Sequence, residues 1–161
     1  MDDLVITREG FERLYKELER LKGEERRRVA DRLRRATTTE ANLAQNMEYL
    51  DAREEKHELE RRIFMLRERL REARVVEPRP GNGRVDPGER VRVREIASGK
   101  SLVLELVGQL EADVAAGRVS VASPLGQALV GLRKGEIANV VAPRGRFAFE
   151  VMAVELPAQA V

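Results

Sequence analysis

Residues 49–73, YLDAREEKHELERRIFMLRERLREA, decide how this chain folds. Tyr49, Ala52, Lys56, Leu59, Ile63, Leu66, Leu70 and Ala73 recur at alternating steps of three and four, and only Lys56 among them is polar. A sustained 3.5-residue repeat marks a narrow coiled-coil seam and not the broader apolar face of a globular helix. One helix cannot bury such a stripe alone. The matching stripe lies upstream, where Phe11, Leu14, Leu18 and Leu21 are followed, after an eight-residue step, by Val29, Leu33 and Ala36. That step is a small phase slip which a coiled coil tolerates.

Thr7, with Gly10 just after it, opens the upstream helix, because a threonine hydroxyl accepts orphan amide hydrogens. Thr37-Thr38-Thr39 is expected to end it in a turn, since three β-branched residues in succession disfavour helix. Each helix has roughly 30 residues and so extends about 45 Å. The short connection makes them antiparallel neighbours. His57, between Lys56 and Glu58 on the charged part of the second helix, reads as solvated.

Pro78-Arg79-Pro80-Gly81-Asn82-Gly83 ends the helical pattern, and beyond it the period becomes two. Arg90 to Arg94 alternates strictly, and Leu102–Val107, Val119–Val121, Ile137–Val141 and Phe147–Val154 read as further strands. Ser98-Gly99-Lys100 and Pro143-Arg144-Gly145-Arg146 are turns. Ser123 caps a short helix with Pro124 at its first position. The fold class is therefore an N-terminal antiparallel coiled-coil hairpin over 1–77, a linker over 78–83, and an α+β domain over 84–161 with an antiparallel sheet and one short helix.

Composition fits this plan. Charged residues make up 36% and aromatics 4%, too polar for one large core. The absence of cysteine removes disulfides and thiolate metal sites and suits a reducing cytosol. The N-terminus lacks the pattern of a signal peptide, and no apolar run approaches the ~20 residues of a membrane helix. A cytoplasmic protein without membrane contact is the expectation. A net charge of +2 does not by itself imply nucleic-acid binding. Arg26, Arg27, Arg28, Arg32, Arg34 and Arg35, opposed locally only by Asp31, form either a solvated, pair-stabilised face or an electrostatic contact for RNA or an acidic wall.

Three ordered motifs resemble the bacterial Gre transcript-cleavage factors. Ile6-Thr7-Arg8-Glu9-Gly10-Phe11-Glu12-Arg13-Leu14 resembles the family's opening. Asn46, Glu48, Tyr49, Ala52 and Arg53 match its hairpin tip and return helix. Val119-Ser120-Val121-Ala122-Ser123-Pro124-Leu125-Gly126-Gln127-Ala128-Leu129-Val130-Gly131 resembles its C-terminal signature, and Phe149-Glu150-Val151 its last strand. The resemblance implies an FKBP-like C-terminal domain that docks on the rim of the RNA polymerase secondary channel, and a coiled coil that passes down the channel to the active site. It implies docking through Ala122, Ser123, Pro124 and Leu129. It also implies a tip formed by Thr38, Glu40, Asn42, Gln45, Asn46, Glu48 and Tyr49, with Arg32, Arg35 and Arg53 placed for channel or RNA 3′-end contacts.

The family tip typically reads Gly-Asp-Leu-(any)-Glu-Asn-Ala-Glu-Tyr, and its two carboxylates help the polymerase hold a second catalytic Mg²⁺. Here Asn42 and Gln45 replace them. An amide offers one carbonyl oxygen and no net charge, whereas Mg²⁺ prefers hard anionic oxygens. The expectation is a monomeric polymerase-binding regulator that inhibits transcription, with no catalysis and no cofactor of its own. The alternatives are a cleavage factor using Glu40 or Glu48, and an interaction module for another partner such as nucleoside diphosphate kinase. Prolyl isomerase activity is not expected, because the C-terminal domain has only Phe147 and Phe149 as aromatics.

Overall fold

The computed structural model describes residues 4–39, 46–79 and 81–156. They divide into two compact units, Phe11–Glu72 and the combination of Met1–Gly10 with Ala73–Val161.

The first unit is built from helices. Helix α1, Arg8–Arg20, passes through a π-helical turn at Leu21–Glu25 into α2, Arg26–Thr39, and α3 spans Met47–Glu72. A π turn holds one residue more than an α turn. The eight-residue step from Leu21 to Val29 is thus a heptad plus the residue that the π turn absorbs, and both side chains end up buried on the same seam. Leu18 and Ala36 on this side, and Ala52, Leu59, Ile63 and Leu70 on α3, complete the buried stripe. Lys56, the polar member of the series, stays exposed beside a cavity of about 430 Å³ lined by Val29, Leu33 and Leu59.

Ion pairs between α2 and α3 fix their direction. Arg26 meets Glu60 in a two-bond fork at 2.8 Å, Arg28 meets Glu55, and Arg32 meets Glu48 at 2.8 Å. Partner numbers fall as the α2 numbers rise, so the two helices run antiparallel. Within the basic cluster, Arg34 pairs along its own helix with Asp31 at 2.9 Å.

The expected turn at Thr37-Thr38-Thr39 is not there; α2 continues to Thr39. The Thr37 and Thr38 hydroxyls donate to the carbonyls of Arg34 and Arg35, at 2.7 and 2.8 Å. Back-bonding to the preceding turn satisfies the hydroxyls without leaving the helix.

The second unit holds two sheets. Strands β1, Val5–Thr7, and β2, Arg74–Val76, pair in parallel, Ile6 opposite Val75. Strands β3, Arg90–Glu95; β4, Ser101–Val107; β5, Arg118–Ser120; β6, Ile137–Ala142; and β7, Gly145–Glu155 form a five-stranded sheet in the order β5-β4-β3-β7-β6. All neighbours are antiparallel except β4 and β5. The β1–β2 pair is too short to show a period, and it groups the chain differently from a boundary drawn by composition at residue 77.

Val91, Val93, Leu104, Leu106, Phe149 and Val151 fill one face of the larger sheet, where helix α4, Pro124–Leu129, adds the fully buried Leu129. The strict alternation of β3 places Arg92 and Arg94 on the opposite, wet face.

A carboxylate is buried within this unit. Glu89 accepts from the Asp86 N–H at 2.8 Å, and burial, reinforced by the Asp86 charge, pushes its carboxyl above the ordinary range. A raised folded-state pKa means that the fold binds the proton more tightly than the unfolded chain does. The resulting penalty is present above the folded pKa and vanishes as pH falls below the unfolded value of about 4. Glu89→Gln keeps the acceptor and removes the charge. Its melting temperature should exceed the parent's at neutral pH, and the difference should shrink towards about pH 4. An unchanged difference across that range would contradict this account.

Candidate functional site

The distal ends of α2 and α3 are joined through one side chain. Asn46 precedes α3, and its Oδ1 accepts from the Tyr49 N–H at 3.0 Å, an N-cap of the usual kind. Its Nδ2 donates across to the Ala36 carbonyl at 2.8 Å. The amide is buried, with both of its ends bonded. Glu40, Asn42 and Gln45 lie outside the described residues, so their reading rests on the sequence.

Beside this closure stands a chain of charges. Arg32 bonds Glu48 at 2.8 Å and Glu55 at 2.5 Å, and Glu55 also bonds Arg28. The Arg32 guanidinium holds the Glu48 carboxyl below the usual carboxylate range, and Arg28 with Arg32 does the same to Glu55. Arg35 adds its charge near Glu48. Thr38 and Arg53 are exposed, and Tyr49 is half-buried. Glu48 is therefore an exposed carboxylate already committed to a cation.

A second constellation lies where β5 turns into α4. Ser123 Oγ accepts from the Gly126 N–H at 3.1 Å and donates to the Ser120 carbonyl at 2.6 Å. Ser120 Oγ in turn accepts from the Ala122 N–H at 3.1 Å. Gly126 is the only residue type that fits its place, since a Cβ there would stand 2.0 Å from the Ser120 carbonyl oxygen. These contacts form a rigid corner that exposes Pro124 and leaves Ala122 and Ser123 half-exposed. Leu129 is wholly buried, so it supports the corner from inside and presents nothing to a partner.

Sequence reading missed a third feature. The buried Glu111 carboxylate accepts from the Thr7 N–H at 2.8 Å, the Gly108 N–H at 2.9 Å and the Thr7 hydroxyl. Thr7 Oγ1 meanwhile caps α1 through the Gly10 N–H at 3.1 Å, as its position at the helix start predicts. The available signal was thin: a glutamate just after Gly108, among loop residues, is unremarkable by composition. The pair of hydrogen bonds made by Asn46 had a better one, because asparagine directly before a helix reads as a cap.

Two family descriptions match the chain: "Transcription elongation factor, N-terminal" over residues 4–75, and "Transcription elongation factor, GreA/GreB, C-term" over residues 80–156. Transcription elongation factor GreA of Ralstonia nicotianae is 36% identical over 157 residues, covering 96% of this chain and 99% of its own. The factor of the same name from Syntrophobacter fumaroxidans is 39% identical over 155 residues, covering 96% and 99%. Among solved structures, GreA factor homolog 1 (Gfh1) of Thermus thermophilus is 30% identical, covers 95% of this chain and 99% of its own, and aligns with a TM-score of 0.42.

Proposed function

The chain belongs to the GreA/GreB family of transcription elongation factors, which bind RNA polymerase, and from that premise we propose a regulator that slows RNA synthesis without prompting RNA cleavage. Its paired helices enter the secondary channel with Asn42 and Gln45 foremost, while an FKBP-like C-terminal domain docks on the channel rim. The observation that carries this reading is the pair of amides where the family pattern has carboxylates. A two-metal site needs negative charge to retain its weaker ion, and two neutral amides supply none.

The geometry supports the same reading at Glu48. Its carboxylate is paired with Arg32, so recruiting a metal there would first require breaking that pair. Ala122, Ser123 and Pro124 supply the accessible part of the docking corner, with Leu129 beneath it. Arg32, Arg35 and Arg53 are the candidates for channel or RNA contact. Inhibition then follows from occupying the route of nucleotide entry or from displacing true cleavage factors by mass action.

A second reading keeps the cleavage role through Glu40, and the name GreA carried by the curated relatives favours it. Halted elongation complexes separate inhibition from inertness. Nucleotide addition should slow saturably as the protein is titrated in, and Pro124→Glu should demand a higher concentration for the same slowing. An unchanged extension rate at a concentration where the protein co-migrates with polymerase would overturn the inhibitor.

A further inference from the structure

Helix α3 keeps its apolar seam except at one layer. Lys56 stands where the stripe calls for an apolar knob, between the buried Ala52 and Leu59, and it is exposed. A cavity of about 430 Å³ opens between α2 and α3 at this layer. Val29, Ala30, Leu33 and Leu59 form its walls, and Val29 and Leu59 are themselves core residues. A lone polar residue in a seam can serve to fix register. That role asks nothing of the residues it meets. Here Ala30, which lines the same cavity, is also small, so neither helix fills the layer. An apolar void of this kind costs stability, and a local rule broken at such a cost is a mark of function.

The rim is cationic. Arg26, Arg34 and Lys56 border the cavity, against the single carboxylate of Glu60. That carboxylate is already held by Arg26 in the two-bond fork at 2.8 Å, and Arg34 is shared with Asp31. Lys56 makes no hydrogen bond or ion pair among the described residues. Its charge nonetheless joins that of Arg26 in holding the Glu60 carboxyl below the usual range, which puts the ammonium within electrostatic reach of the opening. The neighbouring Arg27, Asp31, Arg53 and His57 are all exposed, so polar groups surround the opening on both helices. A partner helix would need a longer apolar track. Apolar walls with a few placed polar groups, around a volume of roughly 300–1,000 Å³, are the usual form of a small-molecule site.

We propose that this cavity binds a small aromatic acid. Its ring system fills the empty seam layer, and its single carboxylate or sulfonate pairs with the Lys56 ammonium at the rim. Rings fill such a space with few rotatable bonds to immobilise. One acidic group matches the one cation that has no partner of its own. Occupancy supplies the missing layer and ties α2 to α3. The site stands independently of the inhibitor reading, since it involves neither the tip amides nor the docking corner.

The probe is anilinonaphthalene sulfonate, an aryl sulfonate whose fluorescence rises on leaving water, added to the full-length chain. Its signal should saturate at one molecule per chain. The melting temperature should rise with its concentration, because a ligand of the folded state alone stabilises that state. Lys56→Met keeps a long stem in the helix and removes the charge. It should weaken binding about tenfold, the worth of one hydrogen bond to a charged group. The neutral dye N-phenylnaphthylamine, with the same rings and no sulfonate, should bind the parent and Lys56→Met alike. Ala30→Phe fills the cavity from its wall and should abolish binding of both dyes. A parent that gives no saturable signal would overturn the proposal. So would equal sulfonate affinity in the parent and Lys56→Met, or binding that survives Ala30→Phe in a chain with the parent's helical content. Should Ala30→Phe fail to fold, the two dyes on Lys56→Met decide alone.

Discussion

Gly108→Ala should be among the most damaging single substitutions in this protein. A Cβ at that position would stand 1.7 Å from the Val5 carbonyl oxygen, 2.6 Å from its carbon and 2.9 Å from the Ile6 Cα. All three are backbone atoms, so no side chain can swing aside to make room. The strand they belong to is short and relies on its surroundings. Val5 N–H donates to Gln109 at 3.2 Å, Thr7 is held by Glu111, and Ile6 is fully buried. Pushing β1 away breaks these bonds together and uncovers Ile6. Overpacking typically costs ~1–3 kcal/mol, and contacts with backbone alone put this site at the upper end of that range, ~3 kcal/mol. In a chain of this size that corresponds to a fall in melting temperature of about 6–12 °C. Gly23→Ala is the control: it has open space around it and sits in the π-helical turn without a positive φ, so it should be neutral or mildly stabilising. Equal melting temperatures for the two variants would contradict the close approach of β1 to Gly108.

The second large effect is a gain. Asn42→Asp combined with Gln45→Glu restores the two carboxylates of the family tip on an otherwise unchanged chain. Two anionic oxygen donors carried to the polymerase active site should help retain the second Mg²⁺. Cleavage of backtracked RNA should rise by about tenfold or more over the parent, equivalent to ~1.4 kcal/mol of barrier. The Mg²⁺ concentration needed for half-maximal cleavage should fall at the same time. If the double variant slows nucleotide addition as the parent does, proving that it docks, and yet leaves RNA intact, the two amides are not the reason that cleavage is missing.

Much of the fold was legible because its periods are clean. The 3.5-residue stripe of α3 and the Arg90–Arg94 alternation of β3 each determine which side is buried, and the burial follows them. The Ser123 cap was legible for a local reason: serine followed by proline both satisfies an orphan N–H and presets the first helical φ. Failures occurred where tertiary context outweighed local preference. Thr37 and Thr38 lie in the part of α2 that packs against α3 through Ala36 and the Asn46 bond, which a propensity argument does not see. β1 and β2 were missed because three-residue strands carry no period and their partners are distant in sequence. The eight-residue step to Val29 was visible as an irregularity, but its physical form, a π turn, emerges only from backbone geometry. Leu129 shows the reverse limit. A position within a family signature can belong to the core beneath the contact surface and not to the surface.

The most direct test of the central claim uses backtracked elongation complexes whose RNA is labelled at its 5′ end. The complexes are incubated with Mg²⁺, with and without the protein, and then supplied with nucleotides. The account predicts RNA of unchanged length during incubation and slower extension afterwards. Shortened RNA that then resumes extension would contradict it, and would place the missing negative charge at Glu40 or at a Glu48 released from Arg32.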